Sequence, residues 1–245
     1  MFKSLLHAIS LTLGLIFSSP GQTPKTSAAF GNVAQQAFNY FARMDKQPDE
    51  FLRNIRLQKV TLELKLKALN LIPPESLVEP SAKGQAKLRA LSPILKYHER
   101  DSFIELKIIR VPVATASFLA GAAILITEPA LELLTTEELQ AVVAHELSHE
   151  YYWNEFELAR RSQQYHVIKE LELRCDGIAV ITLKQLGLNP DRLISATTKF
   201  QQYNERQGFP PSENYVSLAE RLRFIQAMTN MIQVRNHAAH TPTRK

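Results

Sequence analysis

The spacing of apolar positions along the chain changes from helical to alternating and back. Phe30 to Arg43 and Pro48 to Asn70 carry apolar residues at helical spacing and predict two amphipathic helices, divided at Gln47-Pro48 and closed by Pro73-Pro74. Ala82 to Arg100 predicts a third, interrupted near Pro93. Asp101 to Arg110 alternates instead: Ile104, Leu106 and Ile108 face one way, Glu105 and Lys107 the other, as in a half-buried strand. Val113 to Thr127 is small and apolar with Gly121 near its middle, and predicts one or two further strands, one at a sheet edge. Helical spacing returns at Leu139, Val142, Val143 and Leu147, behind a capping box formed by Thr135 and Glu138. It recurs at Ile168, Leu171, Cys175, Ile178 and Leu183 and stops at Gly187-Leu188-Asn189-Pro190. Asp191 to Gln207 and Ser217 to Val234 predict the last two helices, joined through Gly208-Phe209-Pro210-Pro211. The expected fold is one α+β domain, mainly helical, with the first helices covering or restricting its cleft.

The chain ends add expectations about location. Met1-Phe2-Lys3 is a short basic start, Leu5 to Phe17 is largely apolar, and Ser18 to Thr23 is rich in small residues. That is the form of a signal peptide over residues 1–21, or to 28, and implies a periplasmic or secreted protein. An uncleaved anchor is the alternative, disfavoured because the apolar run is short for a bilayer. Residues 22–100 then form an N-terminal helical region, 101–235 the core, and 236–245 a disordered tail in which His237 and His240 are solvated. A single cysteine allows no intramolecular disulfide. The formal net charge of +5 suits solubility or peripheral contact with an anionic cell envelope, and no nucleic-acid-binding motif accompanies it.

The chemistry concentrates in His145-Glu146-Leu147-Ser148-His149. Histidines four apart on a helix project from one face, one turn apart, so both imidazoles can grip one metal ion while Glu146 handles a water bound to it. A buried helix with two hydrogen-bonded histidines is the blander reading, but it leaves the charges of Glu146 and Glu150 unexplained. A zinc site needs a third protein ligand and keeps a position for water. Glu172 and Asp176 share a helix face downstream, so Glu172 is read as that ligand and Asp176 as the acceptor that orients a ligand histidine. Glu170 lies on the other side of the helix and is the weaker candidate. Cys175 falls on the apolar side and reads as a small buried hydrophobe rather than a thiolate ligand. One Zn2+ per chain would acidify its water to a pKa of about 7, and Glu146 would act as general base.

These segments resemble the CAAX prenyl endopeptidase-like gluzincins, a family that includes the HtpX-type heat-shock proteases and periplasmic outer-membrane assembly proteases. Leu134 to His149 is similar to the family's catalytic helix, and Ala116 to Thr127 to the segment before it. Glu172 and Asp176 match its Glu-x-x-x-Asp motif, with Arg174-Cys175 in place of the usual small pair, and Ser217 to Leu222 resembles its C-terminal Glu-Arg segment. The resemblance runs roughly from Val111 to Ala227. It implies a zincin-like metalloprotease domain with a small sheet beside the zinc helix, and protein or peptide substrates. It also implies a His or Arg donor for the oxyanion. The position six before Arg221 is Tyr215, so Tyr215 and Arg221 are both candidates. Two alternatives stay open: Tyr215 as a loop aromatic on the core, and Arg221 as a partner of Asp176. His166 is a weaker donor, expected to be solvated. The short stretch of residues 150–171 is a second departure from the family. With Tyr215 it keeps open a second function, an envelope chaperone or scaffold that retains the metal site and hydrolyses little.

Overall fold

Three short strands form the sheet: β1 (Glu105–Ile109), β2 (Ala116–Leu119) and β3 (Ala123–Thr127), in the order β1-β3-β2. β1 runs parallel to β3 and β2 antiparallel to it. The β2–β3 hairpin turns through two left-handed residues, Ala120 (φ 45°) and Gly121 (φ 71°), with Ala122 N–H closing on Leu119 O at 2.7 Å. A Cβ at Gly121 would stand 2.8 Å from Val60, so the close approach needs glycine as well as the φ does. The sheet is covered on both faces. Ile104, Ile108, Phe118 and Ile124 enter the main core; Ile109, Leu119, Ala123 and Leu125 enter a second apolar cluster with Ala68 and Ile72. Two-sided burial is why β2 and β3 read as apolar runs without alternation.

The computed structural model describes residues 28–44, 47–56, 59–210 and 215–240. The expected signal peptide and the last five residues of the expected tail lie outside the described residues. Helices α1 (Ala28–Ala42), α2 (Pro48–Ile55), α3 (Leu62–Leu69), α4 (Ala82–Arg89) and α5 (Ser92–Tyr97) precede the sheet. The single helix expected over residues 48–70 is two. The chain is extended at Arg56 and Thr61, and Thr61 Oγ1 accepts from Leu64 N–H to start α3. Leucines at 62, 64 and 66 alternate rather than follow a helical stripe, and all three stand exposed while Ala68 is buried.

After the sheet come α6 (Glu128–Leu133), α7 (Thr136–Ser148), a 3-10 turn (His149–Tyr152), α8 (Trp153–Arg161), α9 (Tyr165–Gln185), α10 (Asp191–Arg206) and α11 (Leu218–His240). The capping box at Thr135 is formed in both directions: Glu138 N–H reaches Thr135 Oγ1 at 3.2 Å, and Thr135 N–H reaches Glu138 Oε2 at 2.7 Å. α7 is buried along most of its length, between β2 on one side and α9 and α10 on the other. α6 and α8 have no counterpart in the apolar spacing. Thr127 caps α6 and Pro129 sits in its first turn, a start signal hidden by the preceding strand. α11 continues past Val234 to His240, because nothing between Arg235 and His240 breaks a helix.

The N-terminal helices belong to the same core as the strands. Phe41 of α1 packs onto Gly177 of α9, where an added Cβ would meet its ring at 2.3 Å. At 100° per residue, Gly177 lies about 140° around α9 from Glu172. Of the first helices expected to cover or restrict the cleft, α1 instead packs on α9 at a position turned away from Glu172. Among the described residues no helix is long and apolar enough to cross a membrane.

Candidate metal centre

α7 and α9 lie side by side and bring the predicted residues together. His145 Nε2 stands 3.3 Å from Glu172 Oε2, and His149 Nε2 stands 4.0 Å from Glu172 Oε1. Both imidazoles thus turn one nitrogen toward the same carboxylate. Glu146 joins them: its Oε2 is 3.9 Å from His149 Nε2, and ligand atoms of His145, Glu146 and His149 all lie within 4.8 Å of one another. His145, Glu146 and His149 are buried, while the Glu172 side chain keeps 19% of its surface exposed and marks the open side.

Each imidazole also has a partner on its far side. His145 Nδ1 lies 2.8 Å from Asp176 Oδ1, and Arg221 Nε and Nη2 donate to the two Asp176 oxygens at 2.8 Å each. Arg221 Nη2 is also 3.8 Å from Glu172 Oε2. Of the two roles open for Arg221 in the sequence, its geometry is that of a partner to Asp176. His149 Nδ1 lies 3.7 Å from Cys175 Sγ, and the Phe156 ring packs on the His149 ring at 4.8 Å. Cys175 is fully buried, as expected of a small apolar residue, but it touches the site, which the apolar spacing did not reveal.

Glu170 turns away to Arg174 at 2.5 Å. Glu150, whose charge the sequence could not place, accepts from Arg100 Nε at 2.8 and 2.9 Å in a buried pair. His166 is exposed. The side chains of His237 and His240 lie outside the described residues. Tyr215 is partly buried just before α11, within electrostatic reach of Glu172, Arg221 and Glu146.

Glu146, Glu172 and Asp176 converge against Arg221. Burial alone would lower His145, but hydrogen bonds to Asp176 and Glu172 outweigh it and push its pKa up to about 10. Burial pushes Glu146 up to about 7, although His145 and a backbone hydrogen bond from Phe118 on β2 pull the other way. Burial lowers His149 to about 3, so its imidazole is neutral with a nitrogen lone pair available. Burial would raise Glu172, yet His149, His145 and Arg221 hold it well below the usual carboxylate range. Burial, then Glu172, raises the Tyr215 phenol, which therefore stays protonated and able to donate. Two imidazole nitrogens and an ionised carboxylate turned to one point fit a divalent zinc-type ion held by His145, His149 and Glu172, in place of the proton His145 otherwise carries.

No curated protein is similar enough to the chain to match it. Residues 84–159, less than half of the chain, match the model of Peptidase family M48. The match spans the sheet, α7 and nearly all of α8 but stops before Glu172, Asp176 and Arg221. It supports a peptidase of the metallopeptidase family M48, and the downstream half of the centre stands on geometry alone.

Proposed function

We propose that the protein is an exported zinc metalloendopeptidase of the CAAX prenyl endopeptidase-like, HtpX-type branch, hydrolysing peptide bonds of proteins or peptides. One observation carries this reading: the Glu172 carboxylate lies between the two Nε2 atoms of His145 and His149. His145, His149 and Glu172 would hold zinc, which would supply Lewis acidity toward a carbonyl oxygen and acidify a water to a pKa of about 7. Glu146, buried beside both histidines, would take the proton of the attacking water and return it to the leaving amine. Tyr215 would donate a hydrogen bond from its phenolic O–H to the developing oxyanion. Asp176, fixed by Arg221, keeps the proton of His145 on Nδ1 and its Nε2 free.

A substrate peptide adds to β2. Among the described residues that strand pairs only with β3, and its Phe118 backbone hydrogen-bonds Glu146, so the strand edge adjoins the general base. Export rests on the composition of residues 1–21.

The test is a Glu146→Gln variant. It should retain zinc, measured by native mass spectrometry, and lose hydrolysis of a protein substrate by several orders of magnitude. Undiminished hydrolysis by the variant would reject Glu146 as the base, an unaltered chain that takes up zinc and cleaves nothing would favour the scaffold, and one that takes up no zinc would reject the metal reading.

A further inference from the structure

We propose that Cys175 is a positioning residue for the metal centre: its sulfur accepts a hydrogen bond from His149 Nδ1–H and so holds the Nε2 lone pair of that imidazole toward the metal position beside Glu172. This rests on the zinc reading above and extends it to a residue outside the ligand set.

The geometry is direct. Sγ lies 3.7 Å from His149 Nδ1, and both side chains are buried. His149 Nε2 faces the opposite way, 3.9 Å from Glu146 and 4.0 Å from Glu172. A neutral imidazole carries one ring proton, and the nitrogen that keeps it cannot bind a cation. A buried Nδ1–H needs an acceptor, because a buried donor left without one is costly. The Phe156 ring, 4.8 Å from the His149 ring, fixes its plane but offers no polar atom.

α9 therefore sets a side chain behind each histidine. Asp176 stands 2.8 Å from His145 Nδ1, and Cys175, one residue earlier, stands against His149 Nδ1. Glu172, Cys175 and Asp176 are related as i, i+3 and i+4, so they share one face. One helical turn supplies the carboxylate between the imidazoles and an acceptor behind each. An alanine at 175 would set a methyl group against the Nδ1–H. A serine would restore an acceptor, on a shorter bond.

The experiment compares the full chain with Cys175→Ala and Cys175→Ser. Zinc affinity is measured by chelator competition, ligand geometry by the visible spectrum of the cobalt form, and ring tautomers of the metal-free chain by nitrogen-15 NMR. In the unaltered chain His149 should be the Nδ1–H tautomer. Cys175→Ala should weaken zinc roughly 10–100-fold, shift the cobalt bands and mix the His149 tautomers while leaving His145 unchanged. Cys175→Ser should recover most of the affinity. A packing role alone would lower the melting temperature of Cys175→Ala and leave affinity and cobalt spectrum untouched, which overturns the inference. A His149 Nε2–H tautomer in the unaltered chain overturns it without any variant. Failure of the unaltered chain to bind zinc overturns the metal reading and this inference together, whereas normal uptake with an indifferent Cys175→Ala overturns this inference alone.

Discussion

Arg221 donates two hydrogen bonds, each 2.8 Å, to Asp176, the carboxylate that stands 2.8 Å from His145 Nδ1. Asp176 is fully buried and Arg221 nearly so. Removing one member of such a pair leaves an uncompensated buried charge and costs about 3–5 kcal/mol. Arg221→Met should therefore destabilise the metal-free protein by that order in urea unfolding. Adding Asp176→Asn should return part of the loss, because the stranded charge is then gone. Additive losses in the double variant would show that the pair is not coupled.

Gly177 gives a second prediction. At an exposed helical position, alanine for glycine stabilises by up to about 1 kcal/mol. Here the new methyl would overlap Phe41, so Gly177→Ala should destabilise by about 1–3 kcal/mol. The penalty should shrink in a Phe41→Leu background, as thermal melts of the four proteins would reveal. A chain lacking α1 should lose stability and gain no activity, since α1 packs behind α9. Activation on its removal would indicate an inhibitory segment instead.

Acid should destabilise the fold over a defined range. His98 is fully buried between Tyr151 Oη at 2.8 Å and Thr182 Oγ1 at 3.0 Å, and burial, then Arg56 and Arg100, lowers it from 6.5 to about 3. The unfolded chain takes up this proton below 6.5 and the folded one does not. Stability thus falls as pH drops from 6.5 toward 3, by up to about 1.4 kcal/mol per pH unit. Glu138 adds to this lower down. Burial would raise it, but Lys199, Ser195 and the Thr135 N–H outweigh that and bring it from 4.5 to about 2, so its contribution is lost as pH falls through that interval. Denaturation midpoints between pH 7 and 4 would test the window, and His98→Gln should flatten its upper part.

Tyr215→Phe should reduce kcat by about 10²–10³-fold with little change in KM or zinc content, the signature of a donor engaged in the transition state. A change confined to KM would instead assign the hydroxyl to substrate binding.

Local sequence determined much of this protein. The capping box, the helical stripe and the four-residue spacing of His145 and His149 place both imidazoles on one face, since helix geometry alone decides that. Alternation at Ile104, Leu106 and Ile108 likewise located β1. Only tertiary structure decided the rest. Glu172 rather than Glu170 faces the imidazoles, Arg221 reaches Asp176 across 45 residues, and Cys175 reaches His149 across 26. The break before α3, the helix α8 and the seat of α1 behind Gly177 were equally invisible along the chain. Periodicity reports which side of an element is apolar, because near neighbours and covalent geometry impose it. Which distant side chain satisfies a buried charge or ring nitrogen depends on how the helices pack, and no short window of sequence contains that.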